Sequence, residues 1–263
     1  MRTVCYNETY QWIRRKSMID LHCHILPGVD DGSRNMEDTI ALLKKAKNAG
    51  FDTICFTPHY AEPQYLHTKN ENQEILEQVQ ARINEENLDI NLFLGNEIFI
   101  RQNMKELFEE DKITTLGGTQ YALIELPMFQ ELPQEVVQNM LEPIKQGGIK
   151  VVIAHPERYT YIQRNPKKIS EYFDDEIIFQ SNYGSIIGAY GREAQKTIKK
   201  LLKEKAIHYF SSDVHHISRC FYDDFEVIKK KMLKAVDEEY FEILTETNPR
   251  LVIENKEIKN ERE

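Results

Sequence analysis

The sequence predicts an α/β barrel in which parallel strands alternate with helices. Short apolar runs rich in β-branched and aromatic residues alternate with longer segments of helical period along most of the chain. The length of 263 residues and the 41% hydrophobic content suit one barrel-sized domain with a substantial core. We therefore expect one domain over residues 18–250, preceded by a polar extension at 1–17 and followed by a charged tail at 251–263.

The expected elements alternate in order along the chain. Strands are predicted at 18–24, 52–57, 91–97, 121–126, 151–155, 177–181 and 207–212. Helices are predicted between and after them at 36–49, 71–87, 101–110, 133–146, 166–173, 190–204 and 222–236. Gly50 after the first helix, Gly147 after the fourth and Pro166 at the start of the fifth are typical boundary residues.

The first predicted strand carries polar residues that are costly to bury. The stretch MIDLHCHILPGVDDG, residues 18–32, places Asp20, His22 and His24 at alternate positions, so their side chains are expected to share one face. Unpaired polar groups in a strand are destabilising unless hydrogen bonds or a metal ion compensate them. The stretch therefore indicates a functional site.

Later strands also end in imidazole or carboxylate side chains. These are His59, Glu97, Glu125 and His155, with Asp213 and His215 after the last strand. The carboxyl ends of strands in an α/β barrel meet at one rim, so distant residues become neighbours there. Several carboxylates in one pocket repel one another without cations, and nitrogen and oxygen donors suit manganese, iron or zinc better than calcium. A divalent metal centre is expected.

Composition and missing signatures disfavour other classes of protein. The formal charge of −9 argues against nucleic acid as a partner, and no apolar run approaches the roughly 20 residues that span a membrane. Four cysteines without paired spacing suggest a reducing cytoplasm. The sequence has no C-x5-R signature of cysteine-dependent phosphatases, no D-x-D pair and no glycine-rich phosphate loop. Met1 and Met18 are both candidate start positions.

Six short motifs occur in an order that resembles a known superfamily. DLHCH, TPHY, GNEI, IELP, AHPER and SSDVHH resemble the polymerase and histidinol phosphatase (PHP) superfamily. More closely, the run MIDLHCHILPGVDDGSRNMEDTI and the FTPHY and AHPERY steps look like the metal-dependent tyrosine-protein phosphatases of bacterial capsule and exopolysaccharide loci. The resemblance covers about residues 18–250.

The resemblance implies a distorted (βα)7 barrel of the PHP type that holds three divalent metal ions. Manganese is expected, with iron and zinc as alternatives. By similarity, the first ion would be held by His22, His24, Glu97 and Asp213. The second would be held by the bridging Glu97 with Glu125 and His155, and the third by Asp31, His59 and His215. Asp30 remains the rival of Asp31, and Asp20 matches a position that orients a ligating imidazole.

The resemblance also assigns residues to the substrate. Arg158 aligns with an arginine that contacts the phosphate, and Arg219 is the candidate for a second, although it lies one residue closer to His215 than expected. His59 or Asp213 would protonate the leaving group or assist the attacking water. Near the motifs, aromatic side chains are candidates to stack on a phosphotyrosine ring, with simple packing as the alternative: Tyr60, Tyr159 and Tyr161. Three histidines are expected to be ordinary polar residues: His67, His208 and His216.

The function expected from these residues is metal-dependent hydrolysis of phosphotyrosine in proteins. The resemblance implies a cytoplasmic enzyme that acts on the C-terminal tail of a membrane-associated bacterial tyrosine kinase controlling polysaccharide synthesis, without inserting into the membrane itself. Histidinol-phosphate phosphatase is the main alternative, and a PHP-type nuclease is a further one. A catalytically inert metal-binding or scaffolding protein is an alternative of a different class.

Overall fold

A computed structural model describes residues 18–258, so the expected N-terminal extension at 1–17 lies outside the described residues. Its strands are β1 Met18–Cys23, β2 Phe51–Phe56, β3 His59–Tyr60, β4 Asn91–Leu94, β5 Glu97–Phe99, β6 Tyr121–Glu125, β7 Lys150–Ala154, β8 Ile178–Asn182 and β9 Tyr209–Ser211. All of the paired strands run parallel, in the orders β1-β2-β4 and β3-β5-β6-β7-β8-β9.

Two interrupted strands explain why seven barrel positions appear as nine strands. β2 and β3 are separated by Thr57 and Pro58, and Pro58 has no N–H to donate to a neighbouring strand. The predicted strand 91–97 is wrong at its end, because the chain bends at Gly95 and Asn96 and pairs again as β5. A Cβ atom on Gly95 would lie 3.0 Å from the Leu116 side chain, so the bend favours glycine.

The barrel closes where the end of β1 meets the segment after β9. The backbone N–H of His24 donates to the carbonyl of Val214 over 2.9 Å, and the N–H of Asp213 donates to the carbonyl of His22 over 2.8 Å. A parallel bridge between Cys23 and Val214 lies between these two bonds. The expected distorted (βα)7 barrel is confirmed, and its closure brings the first and last polar motifs together.

The helices lie between and after the strands. They are α1 Met36–Asn48, α2 Lys69–Glu85, α3 Met104–Glu109, α4 Gln134–Gln146, α5 Thr160–Arg164, α6 Lys168–Tyr172, α7 Tyr183–Ile187, α8 Arg192–Lys203, α9 Phe225–Met232, α10 Glu238–Glu242 and α11 Asn248–Ile253. A π-helical turn, Ile243–Thr247, joins α10 to α11, and 3-10 turns occur at Leu116–Gly118, Pro156–Arg158 and Ile217–Arg219. The long predicted helices are present, whereas the short α5, α7, α10 and α11 were not predicted.

Two of the long helices begin where local side chains satisfy free backbone N–H groups. The Asn35 side chain accepts from the backbone N–H of Asp38 at the start of α1. Thr68 and Glu71 form a reciprocal capping box at the start of α2. No helix among residues 18–258 is both long and apolar enough to cross a membrane.

A smaller apolar cluster fills the barrel below its carboxyl rim. Tyr121 and Leu123 of β6 share a face with Glu125, since side chains alternate along a strand. They belong to one cluster with Val152 and Tyr209, all buried. This apolar floor supports the polar side chains at the strand ends above it.

The C-terminal segment joins this floor instead of leaving the fold at residue 251. Val252 and Ile253 in α11 are 0% and 3% exposed and belong to the cluster inside the barrel. The Asn248 side chain donates to the His208 carbonyl over 2.8 Å. The start of the expected charged tail at 251 is therefore too early, because residues 251–253 are helical and packed.

Candidate metal centre

The polar residues at the ends of the strands converge on one rim of the barrel. Their potential ligand atoms lie within 4.8 Å of one another in four overlapping groups. The groups are His24, Asp31, His59 and His215; His22, Glu97 and His155; His22, His24 and Asp213; and His59, Glu97 and Glu125. All nine of the residues expected to bind metal are thus brought together.

Glu97 lies at the middle of this cluster. Its Oε2 is 3.3 Å from His22 Nε2, 3.2 Å from His24 Nε2 and 3.1 Å from His59 Nδ1. Its Oε1 is 2.9 Å from His155 Nε2. The carboxylate, 1% exposed, therefore faces four imidazoles at once and has the geometry of a bridging ligand.

The His22 ring is oriented by a glutamine that sequence analysis did not identify. Gln180 Oε1 lies 2.8 Å from His22 Nδ1, while the Gln180 amide nitrogen donates to the Ser181 carbonyl over 2.8 Å and to Asn182 Oδ1 over 2.9 Å. These two acceptors fix which end of the amide faces the ring. His22 Nδ1 therefore carries the proton, and the Nε2 lone pair points into the cluster.

Two further rings are held in the same way. His24 Nδ1 donates to Asp30 Oδ2 over 2.8 Å, and His215 Nδ1 donates to the Asp213 carbonyl over 3.0 Å. In the neutral rings, the Nε2 atoms face the cluster without a proton. His24 Nε2 and His22 Nε2 are only 3.1 Å apart, so in this state two lone pairs point at each other.

The cluster fits a metal ion because its own atoms leave lone pairs uncompensated. Asp213 Oδ1 is buried without a hydrogen-bond partner, 3.5 Å from both His22 Nε2 and His24 Nε2. A buried carboxylate oxygen among unprotonated nitrogens is costly, and a divalent cation removes the cost. Nitrogen and oxygen donors without thiolate suit a transition metal such as manganese, iron or zinc.

The pKa values of the carboxyl groups show how strongly charge is concentrated here. Burial and the nearby Glu97 raise the pKa of Glu125 well above its usual range. Burial acts in the same direction on Glu97, but the imidazoles of His22 and His59 outweigh it and hold the pKa of Glu97 well below its usual range. The same crowded site therefore raises the pKa of Glu125 and lowers the pKa of Glu97.

Asp30 and Asp31 have separate surroundings. Asp30 is almost completely buried at its carboxylate, where it accepts from the His24 ring and, over 3.0 Å, from the backbone N–H of His59. Asp31 Oδ1 lies 3.6 Å from the Nε2 atoms of both His59 and His215. Asp31 therefore faces the open side of the cluster, whereas Asp30 lies behind the cluster and orients the His24 ring.

The loop after β1 is shaped by a close backbone approach at Gly32. A Cβ atom there would lie 1.7 Å from the His24 carbonyl oxygen, so only glycine fits. The Gly32 N–H donates to Asp30 Oδ1 over 2.9 Å, and the Ser33 N–H donates to the His24 carbonyl over 2.8 Å. The loop thus holds Asp30 against the His24 ring, which Asp30 orients.

Two residues of the cluster have an unusual backbone conformation. His155 has φ of 33° and Asp213 has φ of 51°, in the left-handed region that non-glycine residues rarely adopt. His155 follows directly on β7, and Asp213 lies two residues after the end of β9. Such strain is concentrated at functional sites, where the surrounding structure maintains it.

A cavity of about 220 Å³ opens beside Asp213, and both candidate arginines line it. Arg158 Nη1 donates to Asp213 Oδ2 over 2.6 Å. The guanidinium groups of Arg158 and Arg219 lie 4.4 Å and 5.0 Å from the centre of the Tyr190 ring. The Tyr190 hydroxyl donates to Asp213 Oδ2 over 3.2 Å. Tyr190 therefore links both arginines to the cluster, and no motif around it in the sequence indicates this.

A buried network supports this cavity from below. Glu157 is fully buried and accepts from the Ser181 hydroxyl, the Ser185 hydroxyl and the backbone N–H of Asn182, over 2.8, 2.6 and 2.9 Å. The Asn182 amide donates in turn to Asp213 Oδ2 over 2.5 Å. The glutamate of the AHPER motif thus fixes the end of β8, beside the arginine that follows it.

Asp20 does not orient an imidazole ring as expected. Its carboxylate accepts from the backbone N–H groups of His22 and Ser212, over 3.3 and 2.9 Å, and from the Tyr222 hydroxyl over 2.6 Å. An irregular register between β1 and β2 at this point separates it from the cluster. Asp20 instead fastens β1 to the segment after β9.

The tyrosines expected near the substrate are packed in the fold. Tyr159 is buried, donates to the Ala154 carbonyl over 2.7 Å and stacks on Tyr161 with 5.5 Å between ring centres. Tyr60 is 3% exposed. Of the two readings, packing in the core is the one that the structure favours for all three.

The remaining histidines lie apart from the cluster. His208 is buried, not exposed, and its Nδ1 accepts from the backbone N–H of Phe179 over 3.0 Å. His67 is half-buried, and His216 is exposed, as expected, beside His215. Cys23 and Cys55 are fully buried free thiols.

Comparison with known proteins identifies the family. Residues 18–254 match the family of capsular polysaccharide synthesis proteins CpsB/CapC. The chain belongs to the CpsB/CapC family. The resemblance to capsule-locus phosphatases expected from the motifs is therefore confirmed, and the match extends across the whole barrel.

Several relatives of the CpsB/CapC family are similar over most of their length. The chain is 32% identical to the tyrosine-protein phosphatase CpsB of Streptococcus pneumoniae, over 90% of this chain and 98% of that protein. It is 31% identical to the putative tyrosine-protein phosphatase CapC of Staphylococcus aureus, over 92% and 93%. A solved structure, from work on YwqE of Bacillus subtilis and CpsB of S. pneumoniae as metal-dependent tyrosine phosphatases, matches with a TM-score of 0.84 and 27% identity, over 93% of this chain and 98% of that chain.

The orienting bond from His24 to Asp30 predicts a change in metal affinity. Asp30→Asn keeps the size of the side chain but removes the charged acceptor, and loss of such a partner typically weakens metal binding by about 10–100-fold. The affinity for Mn²⁺, used as the probe cation, should fall by this amount in a calorimetric titration. Asp89→Asn, at an aspartate whose side chain is 95% exposed, is the matched control and should bind as the parent does. Equal affinity of Asp30→Asn and the parent would contradict the role given to Asp30.

Proposed function

We propose that this protein is a metal-dependent protein-tyrosine phosphatase that hydrolyses phosphotyrosine by attack of water. The observation that carries the proposal is the set of imidazole nitrogens around Glu97 and Asp213, beside a cavity lined by two arginines. Its relatives in the CpsB/CapC family are named tyrosine-protein phosphatases. A divalent metal centre next to guanidinium groups is suited to a phosphoryl group.

We assign three divalent ions to the cluster, with manganese as the expected metal. The assignment gives the first ion to His22, His24, Glu97 and Asp213, the second to Glu97, Glu125 and His155, and the third to Asp31, His59 and His215. The spatial groups support this assignment. One group contains His22, His24 and Asp213, and another contains Asp31, His59 and His215. Glu97 shares one group with His155 and another with Glu125. When bound, the ions would lower the pKa of water toward neutrality and offset charge on the phosphoryl oxygens.

The arginines are proposed to bind the phosphate. The Arg158 side chain is 21% exposed, so it can reach a ligand in the cavity while one of its nitrogens stays on Asp213. Arg219 is exposed, and one of its nitrogens donates to the Ala189 carbonyl. Its distance to the Tyr190 ring places it on the same cavity despite its shifted position in the sequence. The planar fork of each guanidinium suits phosphate oxygens.

His59 is the better of the two candidates for moving a proton. Its side chain is 14% exposed, whereas Asp213 is buried and its Oδ2 already accepts from Arg158 and Asn182. Burial lowers the pKa of His59, which favours the neutral ring that either a metal ligand or a proton acceptor requires. Asp213 is then assigned to binding Arg158 and the metal ion.

The natural substrate is proposed from the family. We expect the phosphotyrosine-bearing C-terminal tail of a membrane-associated bacterial tyrosine kinase that controls capsular or exopolysaccharide synthesis. A cytoplasmic location is proposed with it, since the described cysteines are buried free thiols, as is usual in a reducing compartment.

The proposed function is tested by one comparison of rates. Hydrolysis of a phosphotyrosine peptide, histidinol phosphate and single-stranded DNA is measured with Mn²⁺ and again after chelation. Mn²⁺-dependent release of phosphate from the peptide, faster than from histidinol phosphate and without cleavage of DNA, is expected. Faster hydrolysis of histidinol phosphate would favour the alternative phosphatase, and activity that survives complete removal of metal would exclude the proposed mechanism.

The two arginines are expected to differ in importance. Arg158→Lys retains the charge but loses the planar fork, and kcat/KM for the peptide should fall by about 10²–10³-fold, as for loss of one preorganised donor to developing charge. Arg219→Lys should have a smaller effect because Arg219 is exposed. Arg164→Lys, at an exposed residue at the end of α5, is the control. An unchanged rate for Arg158→Lys would remove Arg158 from the phosphate site.

A further inference from the structure

Large apolar side chains are exposed around the metal centre. Within residues 18–258, the exposed large hydrophobic residues are Leu66, Phe99, Phe129, Ile217 and Val227, with exposed fractions of 47%, 37%, 84%, 38% and 50%. A single exposed apolar side chain is ordinary on a protein surface. Phe99, however, is the last residue of β5, which begins with Glu97. Leu66, Phe129 and Ile217 lie in the segments after β3, β6 and β9, whereas Val227 lies on an outer helix, α9.

Phe129 is the most exposed and lies in a loop that is bonded to the segment after Arg158. It occurs four residues after Glu125, in the loop between β6 and α4. This loop is fixed at the rim because the Met128 carbonyl accepts from the backbone N–H of Thr160 over 2.9 Å. Thr160 begins α5, two residues after Arg158. The exposed ring is therefore held at the same end of the barrel as the arginine.

Phe99 and Leu66 flank the opposite part of the cluster. Phe99 shares a strand face with Glu97, two residues earlier in β5, and pairs in register with Glu125. Leu66 follows Tyr65, whose ring stacks on His59 with 5.5 Å between centres. Phe99 is thus paired with a residue of the metal centre, and Leu66 is adjacent in sequence to a ring that stacks on one.

Ile217 is the fourth of these apolar side chains and lies just after the SSDVHH motif. It lies two residues after His215 and lines a cavity of about 490 Å³ together with His215 and Arg34. The cavity of the two arginines also contains His215 in its wall. The two cavities therefore share His215 in their walls.

We propose that Leu66, Phe99, Phe129 and Ile217 form an apolar rim that binds the polypeptide on both sides of a phosphotyrosine. The inference rests on the proposed function and adds the surface that holds the substrate chain on either side of the phosphotyrosine. A phosphate held at the arginines places the substrate backbone at the mouth of the site. Each extended residue adds about 3.3 Å, so the neighbouring residues must cross the rim.

A phosphate ester without a polypeptide would not reach these side chains. Apolar and aromatic anchors around a polar centre are typical of surfaces that bind peptides, with a few side chains supplying most of the affinity. The rim therefore favours substrates with apolar residues flanking the phosphotyrosine and gives no advantage to p-nitrophenyl phosphate.

The rim is tested by measuring two substrates on the same variants. Phe129→Ala, Ile217→Ala and their combination are compared with the parent on p-nitrophenyl phosphate and on a twelve-residue phosphotyrosine peptide with leucines at the flanking positions. The double variant should raise KM for the peptide by about fivefold or more, as expected for loss of interface anchors. Its kcat/KM for p-nitrophenyl phosphate should stay within about twofold, since no rim contact is made to that ester. Val227→Ala, at an apolar residue that is 50% exposed on α9, should change neither.

Binding of a non-hydrolysable phosphonate version of the peptide separates failure of the rim from failure of the proposed function. Fluorescence polarisation should show a weaker affinity of the double variant by a similar factor. Parallel losses on both substrates, or a Val227→Ala effect as large as that of Phe129→Ala, would overturn the rim. A parent that binds the phosphonate but hydrolyses neither substrate would contradict the proposed function, while the binding series would still decide on the rim.

Discussion

The structure depends on uncompensated lone pairs that a parallel barrel collects at one rim. His22 and His24 each use Nδ1 to donate to a fixed acceptor, so their Nε2 atoms face each other over 3.1 Å. Glu97 and Asp213 add buried carboxylate oxygens to the same space. With the rings neutral, no arrangement of the side chains alone satisfies these groups, and divalent cations do so directly. The suitability of this cluster for cations therefore follows from hydrogen bonds that lie outside the ligand atoms themselves.

The irregular parts of the barrel are concentrated at its carboxyl end, where the metal centre lies. The strand that carries His59 is interrupted at Pro58, and the strand that carries Glu97 is interrupted at Gly95, so both residues begin new short strands on the site. The left-handed backbone at His155 and Asp213 similarly turns the chain just after a strand. Below the rim, the apolar floor and the C-terminal helix fill the barrel. Local irregularity is thus concentrated where ligand positions must be set, as expected at a functional site.

Much of this could be predicted from the sequence, for identifiable reasons. Apolar periodicity revealed the barrel, because buried parallel strands need continuous apolar runs, and the order of motifs indicated the nine clustered residues. The short elements and the end of the packed chain were missed, because a helix of only five or six residues, such as α11, is too short to show a helical period. Gln180 and Tyr190 were missed for another reason. A single glutamine or tyrosine carries no periodic or motif signal, and its role arises only from neighbours distant in sequence.

The claim that cations occupy this cluster is tested most directly by anomalous diffraction from crystals grown with Mn²⁺. The account predicts strong peaks among the Nε2 atoms of His22 and His24, the carboxylates of Glu97 and Asp213, and the group around Asp31. It further predicts that Gln180 and Asp30 keep their bonds to the ring nitrogens on the far side. A map with manganese bound elsewhere, or with these side chains surrounding only water, would contradict it.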